Sequence, residues 1–573
     1  MPFSLASRSL SSLVRKGFVG GAALALMASC SLVVETDVDQ CSTDDDCTKK
    51  GSAFAGTHCS AQRLCVGEGV STGECQTSAD CPEAEGEKKI CNASKACVSL
   101  LSDQCKDVQG NHRDANAIIL GSIGPLSGDN QSTGLTITNS INLANTQIQQ
   151  NGGLPALADN LPTRSLVFVH CDDTGSQDVA KVAAAHLVND VKVPAIIGPA
   201  YSGITIEVAQ KVTIPGNTLI ISPSATSPAI TTLNDKGLVW RTAPSDDIQA
   251  RALARLLTYF EPIVRTNADL GQDSSAKPLR VAVINKGDSY GSLLAELLEK
   301  DIRFNGKDVT ANNNNYISFN YGDPSVGDVT ANYTIAVTKL TDPNNPPHVI
   351  FLVGSDEIVT SVFQATEAGW PAGKPRPLYI FADAGALDKT AATITELTKS
   401  AASADLRTRV VGTVPGSQSD RFNAFRLLYN KSPSASSGSP DIFGAAGAYD
   451  STFLLAYAIV SQGTNALTGP SIAAGLGRLV TPSGGTATAI DAGSTSLTTA
   501  FGLLAQGQNI NYEGASGPLD FDINTGEAVS DIQYWCVPTG ETSPRYSGAV
   551  YSDVNKDQTQ PITSPELIVA KCK

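Results

Sequence analysis

The chain has 573 residues and a formal net charge of −15 at pH 7. A chain of this length exceeds what one hydrophobic core usually holds, so we expect several compact parts. The acidic balance and the lack of any cluster of lysine and arginine argue against a nucleic-acid-binding surface.

The chain begins with the features of an export signal. Arg8, Arg15 and Lys16 precede an apolar stretch over residues 17–28 that is too short to span a membrane as a mature helix. We therefore predict that residues 1–29 are a signal peptide.

The end of this segment reads Leu-Met-Ala-Ser-Cys over residues 26–30 and resembles a bacterial lipobox. The resemblance implies that Cys30 is acylated after cleavage, and several acyl chains together give stable membrane anchoring. Ser31, where an aspartate would retain the protein at the inner membrane, favours the outer membrane. An ordinary secretory signal without a lipid is the alternative.

A four-cysteine pattern occurs twice in the next region, residues 30–114. Cys41 to Cys65 and Cys75 to Cys97 each contain two cysteine pairs with five residues inside each pair. Such small modules lack a large core and are usually held by disulfides in oxidising compartments. We predict a disulfide-rich module without a metal. Zinc is the alternative, although the spacing is wider than zinc motifs use and His58 is the one nearby histidine.

Four further cysteines belong to the main body of the chain. Among their combinations, Cys105 with Cys171 and Cys536 with Cys572 are two pairings that would tie the ends of the chain to this body. The sequence leaves the connectivity open.

The main body alternates between strand and helix patterns. Apolar runs that predict strands are 117–121, 166–169, 195–197, 219–221, 279–284, 348–353, 378–381 and 410–414. Helical spacing of apolar residues occurs over 178–191, 246–260, 291–304, 357–368, 420–429 and 444–461. This alternation predicts an α/β fold with parallel sheets flanked by helices. The polar runs 312–315, 432–439 and 481–496 are interpreted as surface insertions.

Two of the strands lead into loops rich in hydroxyl groups. Residues 195–202 read Ala-Ile-Ile-Gly-Pro-Ala-Tyr-Ser, and residues 219–226 read Leu-Ile-Ile-Ser-Pro-Ser-Ala-Thr. Uncharged apolar strands of this kind belong to sheets covered on both faces, and loops at their carboxyl ends form the crevice where open α/β sheets bind ligands. We therefore expect a small ligand at these loops.

Several motifs in order along the chain resemble the leucine/isoleucine/valine-binding branch of periplasmic amino-acid receptors. They are Gly-Pro-Leu-Ser-Gly at 124–128, Ile-Gly at 197–198, Ile-Ser-Pro at 221–223, Ala-Tyr-Asp at 448–450 and Gly-Pro-Leu-Asp-Phe-Asp at 517–522. The resemblance implies a type 1 periplasmic binding fold, a two-lobed Venus-flytrap with three hinge crossovers. It implies one lobe from 115–244 with 416–516, and a second from 245–415 with 517–573.

The resemblance also implies a function and partners. Such proteins are the substrate-binding subunits of branched-chain amino-acid ABC transporters. We therefore expect a non-enzymatic, lipid-anchored protein of the cell envelope that binds an amino acid or similar small carboxylate, with an ABC permease as partner and no cofactor. A ligand sensor or surface lipoprotein without a transporter is the alternative.

Individual ligand-binding residues follow from the same resemblance. Ser202 matches the serine that receives the ligand carboxylate, while Ser224 and Thr226, with Ala225 between them, match the residues that hold the α-ammonium group. Tyr290 matches a tyrosine that closes over the ligand, and Asp383 is the nearest candidate for the acid that pairs with the ammonium group.

This chain departs from the family pattern at two places. The position that matches the family acid without a gap is Ala384, next to Asp383. The loop 129–133 reads Asp-Asn-Gln-Ser-Thr where branched-chain receptors carry a bulky aromatic residue. Asp129 and Tyr201 therefore favour a ligand more polar than leucine.

An enzyme is the competing class of protein. Residues 287–291, Gly-Asp-Ser-Tyr-Gly, match the G-x-S-x-G pattern that would make Ser289 a nucleophile. A hydrolase of that type needs a histidine further along the chain, and His348 is the one histidine after Ser289. His348 begins a predicted strand, which is a poor position for a catalytic loop residue.

Overall fold

The computed structural model describes residues 41–43, 45–46, 49, 57–59, 65–67, 75–92, 94–416, 419–552 and 566–571. The predicted signal peptide and the lipidation site Cys30 lie outside these residues. The chain divides into two compact units, Met1–Glu74 and Cys75–Lys573. In the part that the structure describes, no helix is both long and apolar enough to cross a membrane.

The first unit contains the first cysteine copy. Its strands β1 (Thr57–Cys59) and β2 (Cys65–Gly67) pair antiparallel. A disulfide joins Cys41 to Cys59. Asp46 holds the turn after Cys41, because its Oδ2 accepts hydrogen bonds from the backbone N–H groups of Ser42 and Thr43 at 2.9 Å each.

The second cysteine copy repeats these features at the start of the second unit. Strands β3 (Lys89–Cys91) and β4 (Cys97–Ser99) pair antiparallel, and Asp80 accepts from the N–H groups of Gln76 and Thr77. The disulfides here are Cys75–Cys91 and Cys81–Cys97. The predicted disulfide module is thus confirmed for the described pairs, and these oxidised sulfurs are not thiolate ligands for zinc.

The second copy continues directly into the first large sheet. Strand β5 (Cys105–Gln109) pairs antiparallel with β7 (Leu166–Asp172), and the disulfide Cys105–Cys171 joins the two strands. Residue 114 is therefore too late as the end of the cysteine module. The bulge of one extra residue and the short length of β5 explain why no strand pattern is visible in its sequence.

The first large sheet has eight strands in the order β20-β21-β10-β9-β8-β6-β7-β5. Its central strands are parallel, as predicted. The strands not yet given are β6 (Ile118–Gly124), β8 (Ala195–Ile197), β9 (Leu219–Ser222), β10 (Val239–Arg241), β20 (Phe521–Asp522) and β21 (Glu527–Ala528).

The second large sheet has seven strands in the order β14-β11-β15-β16-β17-β22-β23. Its first five strands are parallel, β22 pairs antiparallel with β17, and β23 pairs antiparallel with β22. The strands are β11 (Val281–Asn285), β14 (Tyr316–Asn320), β15 (Val349–Val353), β16 (Leu378–Phe381), β17 (Val410–Pro415), β22 (Ile532–Cys536) and β23 (Arg545–Tyr551). Cys536 on β22 is disulfide-bonded, and its predicted partner Cys572 lies outside the described residues.

Two small pairs of strands complete the set. They are β12 (Arg303–Phe304) with β13 (Lys307–Asp308), and β18 (Thr488–Asp491) with β19 (Ile510–Glu513).

Helices cover both faces of each large sheet, and an apolar cluster lies under each layer of helices. The helices are α1 (Gln131–Gln150), α2 (Gln177–Ala185), α3 (Ser202–Val208), α4 (Pro228–Thr231), α5 (Asp246–Asn267), α6 (Ser289–Asp301), α7 (Thr330–Leu340), α8 (Gln364–Ala368), α9 (Asp388–Leu397), α10 (Asp420–Lys431), α11 (Ala445–Val460), α12 (Gly469–Leu476), α13 (Leu497–Ala505) and α14 (Glu566–Lys571). Helix α11 is buried on every face because nearly all of its side chains are apolar or small.

The chain passes between the two sheets three times, as the resemblance implies. It leaves the first sheet after Arg241, returns after Pro415 and leaves again after Ala528. The last crossing comes later than predicted, because residues 521–528 pair with the first sheet and not with the second. The predicted boundary at 517 is wrong for this reason.

Most described residues of the three predicted surface insertions are exposed or half-buried, and a few make contacts with the rest of the lobes. The Asn312 side chain is buried and donates to the carbonyls of Phe304 and Asp308. The N–H of Ser439 donates to Thr136 on α1 at 3.1 Å, and β18 lies inside 481–496. The polar composition thus predicts exposure for most of these residues, and hydrogen bonds allow a few polar groups such as Asn312 to be buried.

Candidate functional site

A cavity lies between the carboxyl ends of the two large sheets. It encloses about 480 Å³ of space between atoms, part of it open to solvent. Residues from both sheets line it: Thr133, Ala200, Tyr201, Ser202, Ser224, Thr226, Asp288, Tyr290, Ser355, Asp356, Asp383, Ala384, Leu387, Ile442 and Phe443. Five of the six predicted ligand-binding residues are therefore brought together.

Hydrogen bonds join the two sides of this cavity. Gln177 Nε2 donates to Asp323 Oδ2 and to Ser325 Oγ, both at 3.2 Å. Ser227 Oγ donates to the carbonyl of Ser289 at 2.8 Å. The two lobes are thus in direct contact around the cavity.

The first wall of the cavity is made by the loops that follow β8 and β9. Ser202 Oγ accepts from the backbone N–H groups of Thr226 and Ser227 at 3.1 Å each. Ser224 Oγ donates to the carbonyl of Ala200 at 2.9 Å. These bonds tie one loop to the other, so the wall has one defined arrangement of polar atoms.

Glycine is required where the first of these loops turns. Gly198 has φ of +101°, and a Cβ on it would lie 2.1 Å from the carbonyl oxygen of Ile123. No other residue type fits at that distance. This turn directs the residues that follow it, up to and including Ser202, towards the cavity.

Ala225 is the one predicted site residue that does not line the cavity. It is fully buried behind the loop, where its N–H donates to Ser222 Oγ at 3.1 Å and its carbonyl accepts from Arg241 at 3.3 Å. Neighbouring residues of an extended loop point to opposite sides, so Ser224 and Thr226 face the cavity while Ala225 faces the core.

The second wall carries the predicted pair Tyr290 and Asp383. Tyr290 Oη donates to Asp383 Oδ1 at 2.5 Å. Gln249 on α5 donates to Asp383 Oδ1 at 2.9 Å and to Asp246 Oδ1 at 3.0 Å. The other oxygen of Asp246 accepts from the Thr226 hydroxyl at 3.0 Å, so the network reaches the first wall.

This network contains two buried carboxyl groups that face each other. Burial raises the pKa of Asp246 well above its usual range, and the nearby Asp383 carboxylate raises it further. Burial also raises the pKa of Asp383, although the hydrogen bonds from Tyr290 and Gln249 oppose the shift. Among the described residues, no basic side chain pairs with Asp383. A positively charged group beside it would stabilise both carboxylates.

A second group of charges lies at the other end of the second wall. Lys286 Nζ pairs with Asp288 Oδ2 at 3.1 Å and lies 5.3 Å from the centre of the Tyr201 ring. Burial lowers the pKa of Lys286, but Asp288 and other carboxylates outweigh it and the net shift is upward. Asp356 Oδ2 pairs with Lys389 Nζ at 3.4 Å. Burial raises the pKa of Asp356 to about 6.

Several lining residues were missed from the sequence. Ser355 and Asp356 directly follow β15, so the rule that located the other loops, polar residues after a parallel strand, would have found them. Ile442 and Phe443 lie between α10 and α11 in a segment with no strand or helix pattern of its own. No local signal marks them.

The geometry around Ser289 does not form a hydrolase site. Its hydroxyl is buried and makes no hydrogen bond to the described residues. His348 lies at the opposite end of β11, where it accepts from the N–H of Arg280 at 2.9 Å. The five-residue strand between Arg280 and the loop of Ser289 is about 16 Å long, so the imidazole is far from the hydroxyl.

The fold and the cavity together define a class of protein. Two α/β lobes joined by three crossings, with a small-molecule cavity between them, are the architecture of an extracytoplasmic solute receptor of the Venus-flytrap type. The sequence comparison agrees, because residues 117–535 match the family model described as periplasmic binding protein. The chain belongs to this family.

Curated relatives are similar over part of their length. The chain is 28% identical over 191 residues to the Leu/Ile/Val-binding protein BraC3 of Rhizobium johnstonii, covering 33% of this chain and 45% of that protein. It is 27% identical over 181 residues to the chemotactic signal transduction system substrate-binding protein BasB of Halobacterium salinarum, covering 31% and 37%. The matches thus span under half of each relative.

Solved structures share the fold. The branched-chain amino-acid substrate-binding protein LivJ of Streptococcus pneumoniae, in complex with isoleucine, has a TM-score of 0.52 at 18% identity, covering 75% of this chain and 99% of that one. A solute-binding protein of Rhodopseudomonas palustris, in complex with 3,4-dihydroxybenzoic acid, has a TM-score of 0.51 at 16% identity, covering 79% and 99%. The predicted two-lobed α/β fold and the resemblance to Leu/Ile/Val-binding proteins are confirmed.

Proposed function

We propose that this protein binds an amino acid or a related small carboxylate in the cavity and delivers it to an ABC importer. The observation that carries the proposal is the difference between the cavity walls. The first wall offers neutral hydroxyl groups and the second offers a buried carboxylate without a cation. These are the groups that the two charged ends of an amino acid require.

The carboxylate of the ligand would lie against the first wall. Ser202 Oγ accepts two backbone N–H groups, and no described residue accepts its hydroxyl hydrogen, so this hydrogen is free for a ligand oxygen. The two N–H···O bonds polarise the hydroxyl and make it a better donor.

The ammonium group of the ligand would lie against the second wall. Asp383 is buried and receives hydrogen bonds from Tyr290 and Gln249, which hold its carboxylate in one orientation. A buried carboxylate without a counter-ion is costly, so a cationic ligand group gains energy there. Gln249, which also donates to Asp246, holds the two carboxyl groups next to each other.

Ligand binding would favour the closed arrangement of the lobes. The first wall belongs to one lobe, whereas Tyr290 and Asp383 belong to the other. A ligand held by the first wall gains the second set of contacts only when the lobes meet, so binding shifts the equilibrium towards closure. The three crossings between the sheets would act as the hinge.

The lipid anchor on Cys30 and the transporter partner are parts of the same proposal. An anchor would hold the receptor at the cell envelope, with the outer membrane favoured by Ser31. A sensor is the second candidate function, because one of the similar proteins, BasB, is named as part of a chemotactic signal transduction system. An ABC permease or a signalling partner would recognise the same closed form of the receptor.

We further infer that the protein has no hydrolase activity through Ser289. The support is geometric, since Ser289 begins α6 and His348 lies at the far end of the preceding strand. A panel of ester and amide substrates should give no turnover above background, and a serine-directed phosphonate that labels Ser289 would contradict this.

Titration calorimetry against the common amino acids tests the binding proposal, with small-angle scattering to detect closure. We expect saturable binding of at least one amino acid together with a decrease in the radius of gyration. The proposal fails if none binds. Mass spectrometry of the mature N-terminus tests the anchor, and an unmodified Cys30 would remove it.

A further inference from the structure

The cavity is lined by acidic groups, and the two lysines that contact Asp288 and Asp356 do not line it. Three of its lining residues are aspartates, Asp288, Asp356 and Asp383, and none of the lining residues is basic. We propose, on the basis of the proposed function, that the ligand is an amino acid whose side chain carries a second positive charge, and that Asp356 receives that charge.

Of the three lining aspartates, Asp356 is the one whose carboxylate can still accept a hydrogen bond from the charged side chain of a ligand. The α-ammonium group would use Asp383. Asp288 is already engaged through both oxygens, because Oδ1 accepts from the N–H of Gly291 at 2.9 Å and Oδ2 pairs with Lys286 at 3.1 Å. Asp288 therefore caps helix α6 and holds Lys286 in place, and these two roles explain this residue without any ligand.

The partners of Asp356 leave it incompletely neutralised. Its contact with Lys389 is long, at 3.4 Å, and Lys389 Nζ also donates to the carbonyl of Asp129 at 2.8 Å. Lys389 is partly exposed, whereas the Asp356 side chain is only 2% exposed. The described residues form no other hydrogen bond to this carboxylate, although the carboxylates of Glu357 and Asp129 lie near it.

The Tyr201 hydroxyl is a second, independent indication of a polar ligand group at this end of the cavity. It is buried, lines the same cavity and makes no hydrogen bond of normal length, although Thr133 lies close by. A buried hydroxyl without a partner is costly, and an ammonium or guanidinium group at Asp356 would supply a donor for it.

The remaining lining suits the stem of such a side chain. Leu387, Ile442 and Phe443 give the cavity an apolar side next to the acidic one. Long cationic side chains place their methylene groups along apolar surface and their charge at a polar site. A lysine or ornithine side chain combines both features, whereas leucine leaves Asp356 and Tyr201 without a partner.

Lysine and norleucine form a matched pair for the test, because they differ in the terminal ammonium group. We expect calorimetry on the wild-type protein to give lysine a dissociation constant about 10- to 150-fold lower than that of norleucine, the effect of one charge-assisted hydrogen bond. Ornithine and arginine extend the series to a shorter and a longer cation.

The variant Asp356→Asn removes the charge and keeps the shape. It should bring the lysine to norleucine ratio to within about threefold while norleucine affinity changes little. Asp328→Asn, an exposed aspartate before α7, is the control and should leave the ratio unchanged. If Asp356→Asn does not fold, the wild-type ratio still tests the cationic ligand, and a wild-type ratio that does not change between pH 5 and pH 8 would refute the role of Asp356.

Two results would overturn the proposal. Leucine or norleucine binding as tightly as lysine to the wild type would refute the cationic ligand and leave the proposed amino-acid receptor intact. A preference for lysine that persists in Asp356→Asn would refute the role of Asp356. Failure to bind any amino acid would end both this proposal and the proposed function.

Discussion

The two walls of the cavity differ in how their polar groups are satisfied. On the first wall, Ser202 and Ser224 exchange hydrogen bonds with the backbone of their own lobe, so these two side chains are held in position without a ligand. On the second wall, the buried Asp383 carboxylate pairs with no basic side chain of the described residues, and the buried Asp356 carboxylate has only the long contact with Lys389. A ligand therefore meets side chains that are already held in position on the first wall and buried negative charge without full compensation on the second wall.

This difference separates two tasks in recognition. A pre-formed neutral wall holds the ligand group that all candidate ligands share, the carboxylate, at low cost in reorganisation. The acidic wall distinguishes between ligands, because buried unpaired charge rejects any ligand that cannot compensate it. Substitutions on the two walls should accordingly have different consequences for stability and for binding.

The largest effect is expected for Asp383→Asn. Loss of one partner of a buried charge pair costs about 2–5 kcal/mol, so amino-acid affinity should fall at least about 30-fold. The melting temperature should stay the same or rise, because an asparagine oxygen still accepts from Tyr290 and Gln249 and no longer repels Asp246. Calorimetry and thermal melting measure the two quantities.

The opposite combination would contradict this view of Asp383. If Asp383→Asn lowered the melting temperature and left affinity unchanged, the carboxylate would be a structural group of the hinge and not the ammonium site. Asp328→Asn is the control, because it makes the same substitution at an exposed site outside the cavity.

On the first wall, Ser202→Ala should reduce both affinity and stability. The ligand loses one hydrogen-bond donor, which corresponds to about 10- to 150-fold in affinity. The protein also loses the acceptor of two buried N–H groups, at a cost of about 1–3 kcal/mol for each group left unsatisfied.

Ser222→Ala is a matched control for Ser202→Ala. Ser222 is buried in the same pair of loops, donates to the carbonyl of Pro199 at 2.7 Å and accepts from the N–H of Ala225 at 3.1 Å, but it does not line the cavity. The Ser222→Ala variant should be less stable than the wild type and should retain most of its affinity for the ligand. Equal losses of affinity in both variants would mean that Ser202 acts only by shaping the loops.

The first wall could be predicted from the sequence, whereas much of the second could not. The uncharged strands before Ser202 and Thr226 identify a buried parallel sheet, and their carboxyl ends locate the loops. The same rule applied to residues 349–353 would have added Asp356. Ala225 was misplaced because a family match gives position along the chain but not the direction of the side chain.

The parts of the fold that were missed have weak local patterns. Strands β5, β20 and β21 are short and lie at or next to the edges of their sheet, and their pairing depends on a disulfide or on distant strands. Ile442 and Phe443 reach the cavity through long-range packing, which no local periodicity encodes. The eight apolar runs predicted as strands, by contrast, each coincide with a strand, because their burial is decided by their own composition.

The charge on the second wall should also make binding depend on pH. Burial, with Glu357 and Asp129 nearby, raises the pKa of Asp356 to about 6, although Lys389 opposes the shift. The carboxylate is ionised above that pH, and a cation stabilises the ionised form. The ratio of lysine to norleucine affinity should therefore be constant above about pH 7 and fall below pH 6, approaching tenfold per pH unit.

Calorimetry with lysine and with norleucine between pH 5 and pH 8 measures this ratio. Titration of Asp383 changes the affinity of both ligands by the same factor, so it does not change the ratio. Tyr201, Lys389, Glu357 and Asp129 face Asp356 and contribute to the observed midpoint. A ratio that does not change with pH would show that Asp356 is not the group that meets the side-chain charge.

The smallest effect is expected at the rim, where the lobes touch without the ligand. Gln177→Ala removes two hydrogen bonds at 3.2 Å that form only when the lobes meet. Each such bond contributes about 0.5–1.5 kcal/mol, so affinity should fall a few-fold for every ligand to the same extent, because closure and not recognition is weakened. Lys181→Ala lies on the same helix but pairs within its own lobe with Asp178 and Glu207, so it should leave affinity unchanged. A change in the lysine to norleucine ratio in Gln177→Ala would mean that the rim takes part in choosing the ligand, and the division of tasks between the two walls would then be incomplete.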